Sequence, residues 1–323
     1  MDNMQEPHVK RILVADIGGT NSRFAAFSFS NGELVRQASV WLSTTGATSF
    51  AQLLEQLAAS PLPCSPQTAD AIVLAVAGPV EDGKRASLPN IGWDIDLAAL
   101  PDSCGCSKAL LVNDFLAQAY ACLSPAMRDA LSILPGTPVE GAPVAVLGAG
   151  TGFGHALLVK VTDGVYTALP SEGGHAHFPF VGTEEHAYAE FLHKETGRSQ
   201  IIGDMVVTGS GMRYLHTFFT GERIPSREVT AKLTPDAPEL VWFARFLGRA
   251  CHDYVLKTLA LGGVVLTGGL VSGNPSIARH PAFAQAFMDS DTHGHLLRKI
   301  PVHLNTNEEF GLWGAAQLAA MNL

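Results

Sequence analysis

One glycine-turn unit occurs twice in this chain, and the repeat limits what the chain can fold into more than any other feature. The first copy reads Arg11-Ile-Leu-Val-Ala-Asp16-Ile-Gly18-Gly19-Thr20-Asn21, then Phe24-Ala-Ala-Phe27, then Asn31-Gly32. The second reads Val144-Ala-Val-Leu147-Gly148-Ala-Gly150-Thr151-Gly152-Phe-Gly154, then Ala156-Leu-Leu-Val159, then Asp163-Gly164. Asp16 to Gly32 and Gly148 to Gly164 both span 16 positions. Each copy reads as strand, Gly/Thr turn, strand, Asn-Gly or Asp-Gly hairpin, strand. Such a duplication predicts two related domains whose glycine turns face each other across a cleft. Glycine lets backbone N–H groups approach an anion closely, and a Thr hydroxyl adds a donor. Two such turns suit the phosphates of a nucleoside triphosphate.

The context of the turns excludes two alternatives. A P-loop requires G-x-x-x-x-G-K-[ST] between strand and helix, and the string is absent. A dinucleotide-binding turn also leads from strand into helix, whereas both turns here lead into another apolar strand. One copy alone would read as an ordinary hairpin. Two copies with matched spacing, one with an acid at the strand end, favour a functional role.

The 323 residues suggest one large or two moderate domains, and a hydrophobic share of 47% supplies a sizeable core. A net charge of −9 argues against bulk electrostatic binding of nucleic acid. A phosphate ligand must then be held locally, by backbone donors and a cation. The polar stretch Met1–Lys10 lacks the apolar core of a signal peptide. No segment offers the roughly 18 consecutive apolar residues of a membrane span. A cytoplasmic protein is expected. The cysteines at 64, 104, 106, 122 and 251 form no disulfide framework, and Cys104-Gly-Cys106 lacks the second pair that a zinc site needs.

Between the repeats the pattern alternates. Phe50, Leu53, Leu54 and Leu57 keep helical spacing over 49–59, with Ser49 and Gln52 as a capping box. Ala71–Ala77 is an apolar run suited to a buried parallel strand. The stretch that follows, to Trp93, reads as a polar loop. Ala109–Val112 is a strand that stops at Asn113-Asp114, and Phe115–Leu123 is a helix. In the second half, helices are expected around Glu184–Glu195 and over Leu240–Leu261. Strands are expected at Gly262–Leu266 and Pro301–Leu304, and Glu308–Met321 is a closing helix. The expected fold is α/β, with a mixed sheet in each half. Residues 1–124, completed by a C-terminal helix within 305–323, form the smaller domain, and 125–304 the larger.

Asp114 is the leading candidate for a general base, because it ends an apolar strand just before a helix, where α/β folds place ligands. Its alternative is a helix N-cap. Asn113 beside it can hydrogen-bond a hydroxyl ligand. Asp16 precedes the first glycine turn, where a carboxylate can position Mg²⁺ directly or through water; its alternative is an Asx turn. Glu172 and His175 flank a Gly-Gly turn and can bind polar ligand atoms. His175-x-His177 lacks a third ligand, so metal binding there is disfavoured. Thr267-Gly268-Gly269 ends a buried strand and would let a flat ring approach the backbone.

Taken together, these strings resemble the bacterial glucokinase family, of the hexokinase–actin–Hsp70 type of ATP-binding fold. The resemblance runs from Leu13 to about Ala316. It is carried by Asp16-Ile-Gly-Gly-Thr-Asn21, Val112-Asn-Asp114-Phe, Gly148-Ala-Gly-Thr-Gly-Phe-Gly154, Glu172-Gly-Gly-His175, Leu266-Thr-Gly-Gly-Leu270 and Gly311-Leu-Trp-Gly314. It implies two duplicated ribonuclease H-like domains, each a mixed sheet flanked by helices, with the active-site cleft between them. It implies ATP and Mg²⁺, the cation near Asp16. The first phosphate segment would be Asp16, Gly18, Gly19, Thr20 and Asn21, the second Gly150, Thr151 and Gly152. Gly268 and Gly269 would lie against adenosine. Asn113, Asp114, Glu172 and His175 would hold glucose, with Asp114 as base and Asn90 near the sugar. A homodimer is also implied, with no nucleic-acid or membrane partner.

One departure from the family pattern is visible. Where the family has Glu as a further sugar ligand, in a Glu-Arg-Val-Leu-Ser-Gly string, this chain reads Asp204-Met-Val-Val-Thr-Gly209, and the resemblance implies Asp204 as a sugar-binding residue that reaches the sugar by a backbone shift or through water. Asp204 is shorter by one methylene, roughly 1.5 Å, so the identity of the sugar is more open than the reaction. A kinase for another hexose and a non-catalytic sugar sensor are the two rival readings. The Cys-rich zinc motif of the related repressor/open-reading-frame/kinase group is absent.

Overall fold

A computed structural model describes residues 9–88 and 91–323. The chain divides into two compact units: one runs to Arg128 and resumes at Glu308–Leu323, and the other is Asp129–Asn307.

The first unit opens with the repeat. Strands β1 (Lys10–Ile17), β2 (Asn21–Ser30) and β3 (Glu33–Ser43) form an antiparallel meander. Asn31 and Gly32 both take positive φ, 51° and 79°, which is what a two-residue type I′ turn requires and why Asn-Gly stands there. Helix α1 (Phe50–Ala58) buries Phe50, Leu53, Leu54 and Leu57. Ser49 caps it by accepting from Gln52 N, but the reciprocal half of the expected box is shifted: Gln52 Oε1 takes the N–H of Thr48 instead. Strand β4 (Ala71–Val76) is buried almost throughout and lies parallel to β1, which accounts for its unbroken apolar sequence. The expected loop that follows contains a small sheet, β5 (Val80–Glu81), β6 (Arg85–Ser87) and β7 (Asp94–Asp96). Such short pairings leave no periodicity to read. Strand β8 (Ala109–Asn113) joins β4 in parallel and leads directly into α2 (Asp114–Ala121).

The C-terminal helix (Phe310–Met321) belongs to this unit and packs on α2, β1 and β4. It is apolar nearly all round, as a helix covered on several sides must be. At its crossing with α2, a Cβ on Gly314 would sit 1.7 Å from Ala117 O.

The second unit repeats the plan. After β9 (Leu131–Leu134) come β10 (Val144–Ala149), β11 (Phe153–Thr162) and β12 (Val165–Ser171), again an antiparallel meander. Helices α3 (Gly182–Thr196), α4 (Gly203–Val206), α5 (Gly209–Thr220), α6 (Ser226–Ala231) and α7 (Pro238–Thr258) follow. Helix α7 stops earlier than its apolar pattern suggests because Leu259 turns left-handed, φ 48°. Strand β13 (Gly263–Thr267) and, after α8 (Gly269–Ser272) and three further short helices, β14 (Val302–Leu304) complete the sheet in parallel with β10.

Among the described residues the sheet orders are β3-β2-β1-β4-β8 and β12-β11-β10-β13-β14-β9. The first five strands of each correspond in order and direction. The duplication in the sequence is therefore a duplication of topology, with β9 an added antiparallel edge.

Candidate active site

In the first unit the parallel strands β1, β4 and β8 end together. Their register runs from Asp16 through Ala75 to Val112, so Asp16 and Asn113-Asp114 lie at one edge of the sheet. Asn113, not Asp114, is the N-cap of α2: its Oδ1 accepts from Phe115 N at 2.9 Å, and its Nδ2 donates to Gly78 O at 3.2 Å. The capping role weighed for Asp114 thus falls to its neighbour. Asp114 is the first helical residue and also accepts from Phe115 N, at 3.0 Å. Burial, and then the charge of Asp16, push its carboxyl up to about 7, against the pull of those hydrogen bonds. Asp16 is itself raised by burial, with Arg23 opposing. Arg23 pairs directly across from it on β2. Counting outward from the Gly18–Asn21 turn would have found Arg23 in the sequence. Gly18 N donates to Asn21 O at 3.1 Å, and Thr20 O accepts from Thr44 N at 3.0 Å, so the first turn is fastened to the end of β3.

The second unit brings its candidates together around Phe153, a residue that sequence reasoning passed over inside the glycine string. Gly150 N closes the turn on Gly152 O at 3.0 Å. A Cβ on Gly150 would lie 3.7 Å from Gly269 N, so the Gly150–Gly152 turn and the Gly268-Gly269 corner are neighbours. Gly268 has φ +92°, and a Cβ there would meet Ala149 O at 2.5 Å; only glycine fits. The Glu172–His175 segment reaches the same place, because a Cβ on Gly174 would sit 1.9 Å from Phe153 O. Glu172 and His175 are both exposed, with His175 Nε2 3.7 Å from Glu172 Oε2. Asp204 Oδ1 accepts from Phe153 N at 2.7 Å.

Behind Gly173 lies His155, 4% exposed and stacked on Tyr254 with centroids 4.7 Å apart. Neither ring nitrogen has a hydrogen-bond partner among the described residues. Burial, with Lys257 adding to it, drops its pKa to about 3. Asn90, expected near the sugar, lies outside the described residues. Among those described, no group of three or more His, Cys, Asp or Glu side chains could hold a metal, and no helix is long and apolar enough to cross a membrane.

Duplicated ribonuclease H-like sheets, with glycine turns after β1 and β10, agree with the class to which the comparisons assign the chain, the ATP-dependent hexose kinases. The Glucokinase family model matches residues 13–322. The glucokinase of Brucella suis biovar 1 (strain 1330) is 34% identical over 325 residues, covering 95% of this chain and 90% of that protein. Among solved structures, a glucokinase from an Antarctic psychrotroph superposes with a TM-score of 0.83 at 28% identity, covering 97% of this chain and 99% of that one. A ROK family glucokinase from Streptomyces griseus, solved with glucose and AMPPNP, shares the fold at a TM-score of 0.61 and 17% identity, covering 98% and 100%. The chain belongs to the glucokinase family.

Proposed function

We propose that the protein transfers the γ-phosphoryl group of MgATP to the 6-hydroxyl of glucose, giving glucose 6-phosphate and ADP. The observation that carries this reading is Asp114, a half-buried carboxyl whose desolvation, with the charge of Asp16, pushes it up to about 7 where β8 meets α2. Asp114 takes the hydroxyl proton as that oxygen bonds to the γ-phosphorus, and the bond to the bridging oxygen of ADP breaks. Such transfers depend mainly on positioning and charge stabilisation. Asn113, Glu172 and His175 orient the sugar, with Asn90 beside it. Gly18, Gly19, Thr20 and Asn21, with Gly150, Thr151 and Gly152, offer donors to the phosphates, and Gly268-Gly269 a flat approach for adenosine.

Asp16 suits Mg²⁺: a half-buried acid raised by desolvation is stabilised by a cation, and Mg²⁺ is commonly held through one or two carboxylates together with substrate phosphates and water. Bound there, it would offset phosphate charge. The family resemblance also points to a homodimer, which sedimentation at micromolar concentration checks.

Sugar-dependent ADP production from MgATP, across glucose, mannose, fructose, glucosamine and N-acetylated hexoses, tests the proposal. A selective response to glucose supports it. A response to another hexose keeps the chemistry and moves the substrate, the alternative that the shorter Asp204 raises. Sugar binding without any ADP release would make the protein a sensor.

A further inference from the structure

We propose that Asp204 is a positioning residue for the nucleotide, fixing the Gly150–Gly152 turn rather than contacting the sugar; this rests on the kinase reading above. Its Oδ1 accepts the N–H of Phe153, the residue that leaves the turn, at 2.7 Å. A Cβ on Gly152 would come within 3.2 Å of the same oxygen, so glycine at 152 gives the carboxylate room beside the turn. At the turn's other end, Gly209 N donates to Gly150 O at 3.0 Å. Thr208 Oγ1 donates back to Asp204 O at 2.7 Å, bracing the segment between the two grips.

One short stretch, 204–209, therefore holds the turn at entry and exit. By taking up the Phe153 N–H, Asp204 decides which backbone donors of the turn are left for an anion and where they point. A hydrogen bond to a charged group in a partly buried place is among the stronger ones. The chain's departure from the family Glu then has a consequence on the phosphate side. The shorter side chain keeps its oxygen over Phe153 N.

The test compares wild type with Asp204→Ala and Asp204→Asn, varying MgATP at saturating hexose, varying hexose at saturating MgATP, and titrating MgADP calorimetrically. Asp204→Ala should raise KM for MgATP and weaken MgADP by roughly tenfold or more, with KM for the hexose moving by less than about twofold. Asp204→Asn keeps an acceptor oxygen and should recover most of the loss. A raised hexose KM with unchanged MgADP affinity would overturn the assignment. If the wild type binds MgADP but turns over no hexose, the kinase reading fails, and the MgADP titrations alone still decide the role of Asp204. A wild type that binds no MgADP overturns both. Should Asp204→Ala not fold, Asp204→Ser, whose hydroxyl is too short to reach Phe153 N, should weaken MgADP comparably with the hexose KM little changed; unaltered MgADP affinity there counts against the proposal.

Discussion

Asp114 and His155 show how burial gives two ordinary side chains opposite tasks. With its carboxyl at about 7, Asp114 is split between acid and base forms near neutrality. A base must be ionised to accept a proton, so kcat/KM should rise with pH through about 7 and level off above it. Asp114→Asn should lower kcat by roughly 10²–10⁴-fold with the fold intact; near-normal turnover would remove Asp114 from the mechanism. His155 is a buried base whose pKa falls to about 3. Its folded value lies below the unfolded value of about 6.5, so the unfolded chain binds the extra proton between those values. Stability is then intact above pH 6.5 and lost as pH falls towards 3. Relative to His155→Leu, the wild type should lose about 2 kcal/mol between pH 8 and pH 5; the difference isolates His155 from Asp114, whose raised pKa acts in the opposite sense over that range. Denaturant midpoints of both proteins across that range check it.

At the level of elements, the contact of the C-terminal helix with α2 depends on a missing side chain. A Cβ on Gly314 would meet the Ala117 carbonyl, which is backbone and unable to swing away. Gly314→Ala should force the C-terminal helix off α2 and destabilise by roughly 1–3 kcal/mol or more, read as a lower Tm. Elements with a strong local signal were legible in the sequence: both meanders from their glycine turns, α1 from its helical spacing, and β4 and the C-terminal helix from their apolar runs. Those built by tertiary pairing were not. The β5–β7 sheet consists of strands of two or three residues, too short for alternation to register. Helix α7 ended where Leu259 turned, although the apolar pattern continued.

On the scale of the whole molecule, the first unit is discontinuous in sequence and the second is one continuous stretch. Truncation after Asn307 removes the helix that covers α2, β1 and β4, exposing apolar surface on the first unit. Limited proteolysis of that truncation should degrade the first unit and leave a fragment near 129–307; equal loss of both would contradict this. The sequence alone determined the duplication, the turn chemistry and the acids at strand ends, because these depend on neighbours within a few residues. Only the tertiary structure decided that Asn113 is the cap and Asp114 the desolvated acid, and that Asp204 reaches Phe153 N across 51 positions. Desolvation and hydrogen bonding act through distance in space, which spacing along a chain does not encode.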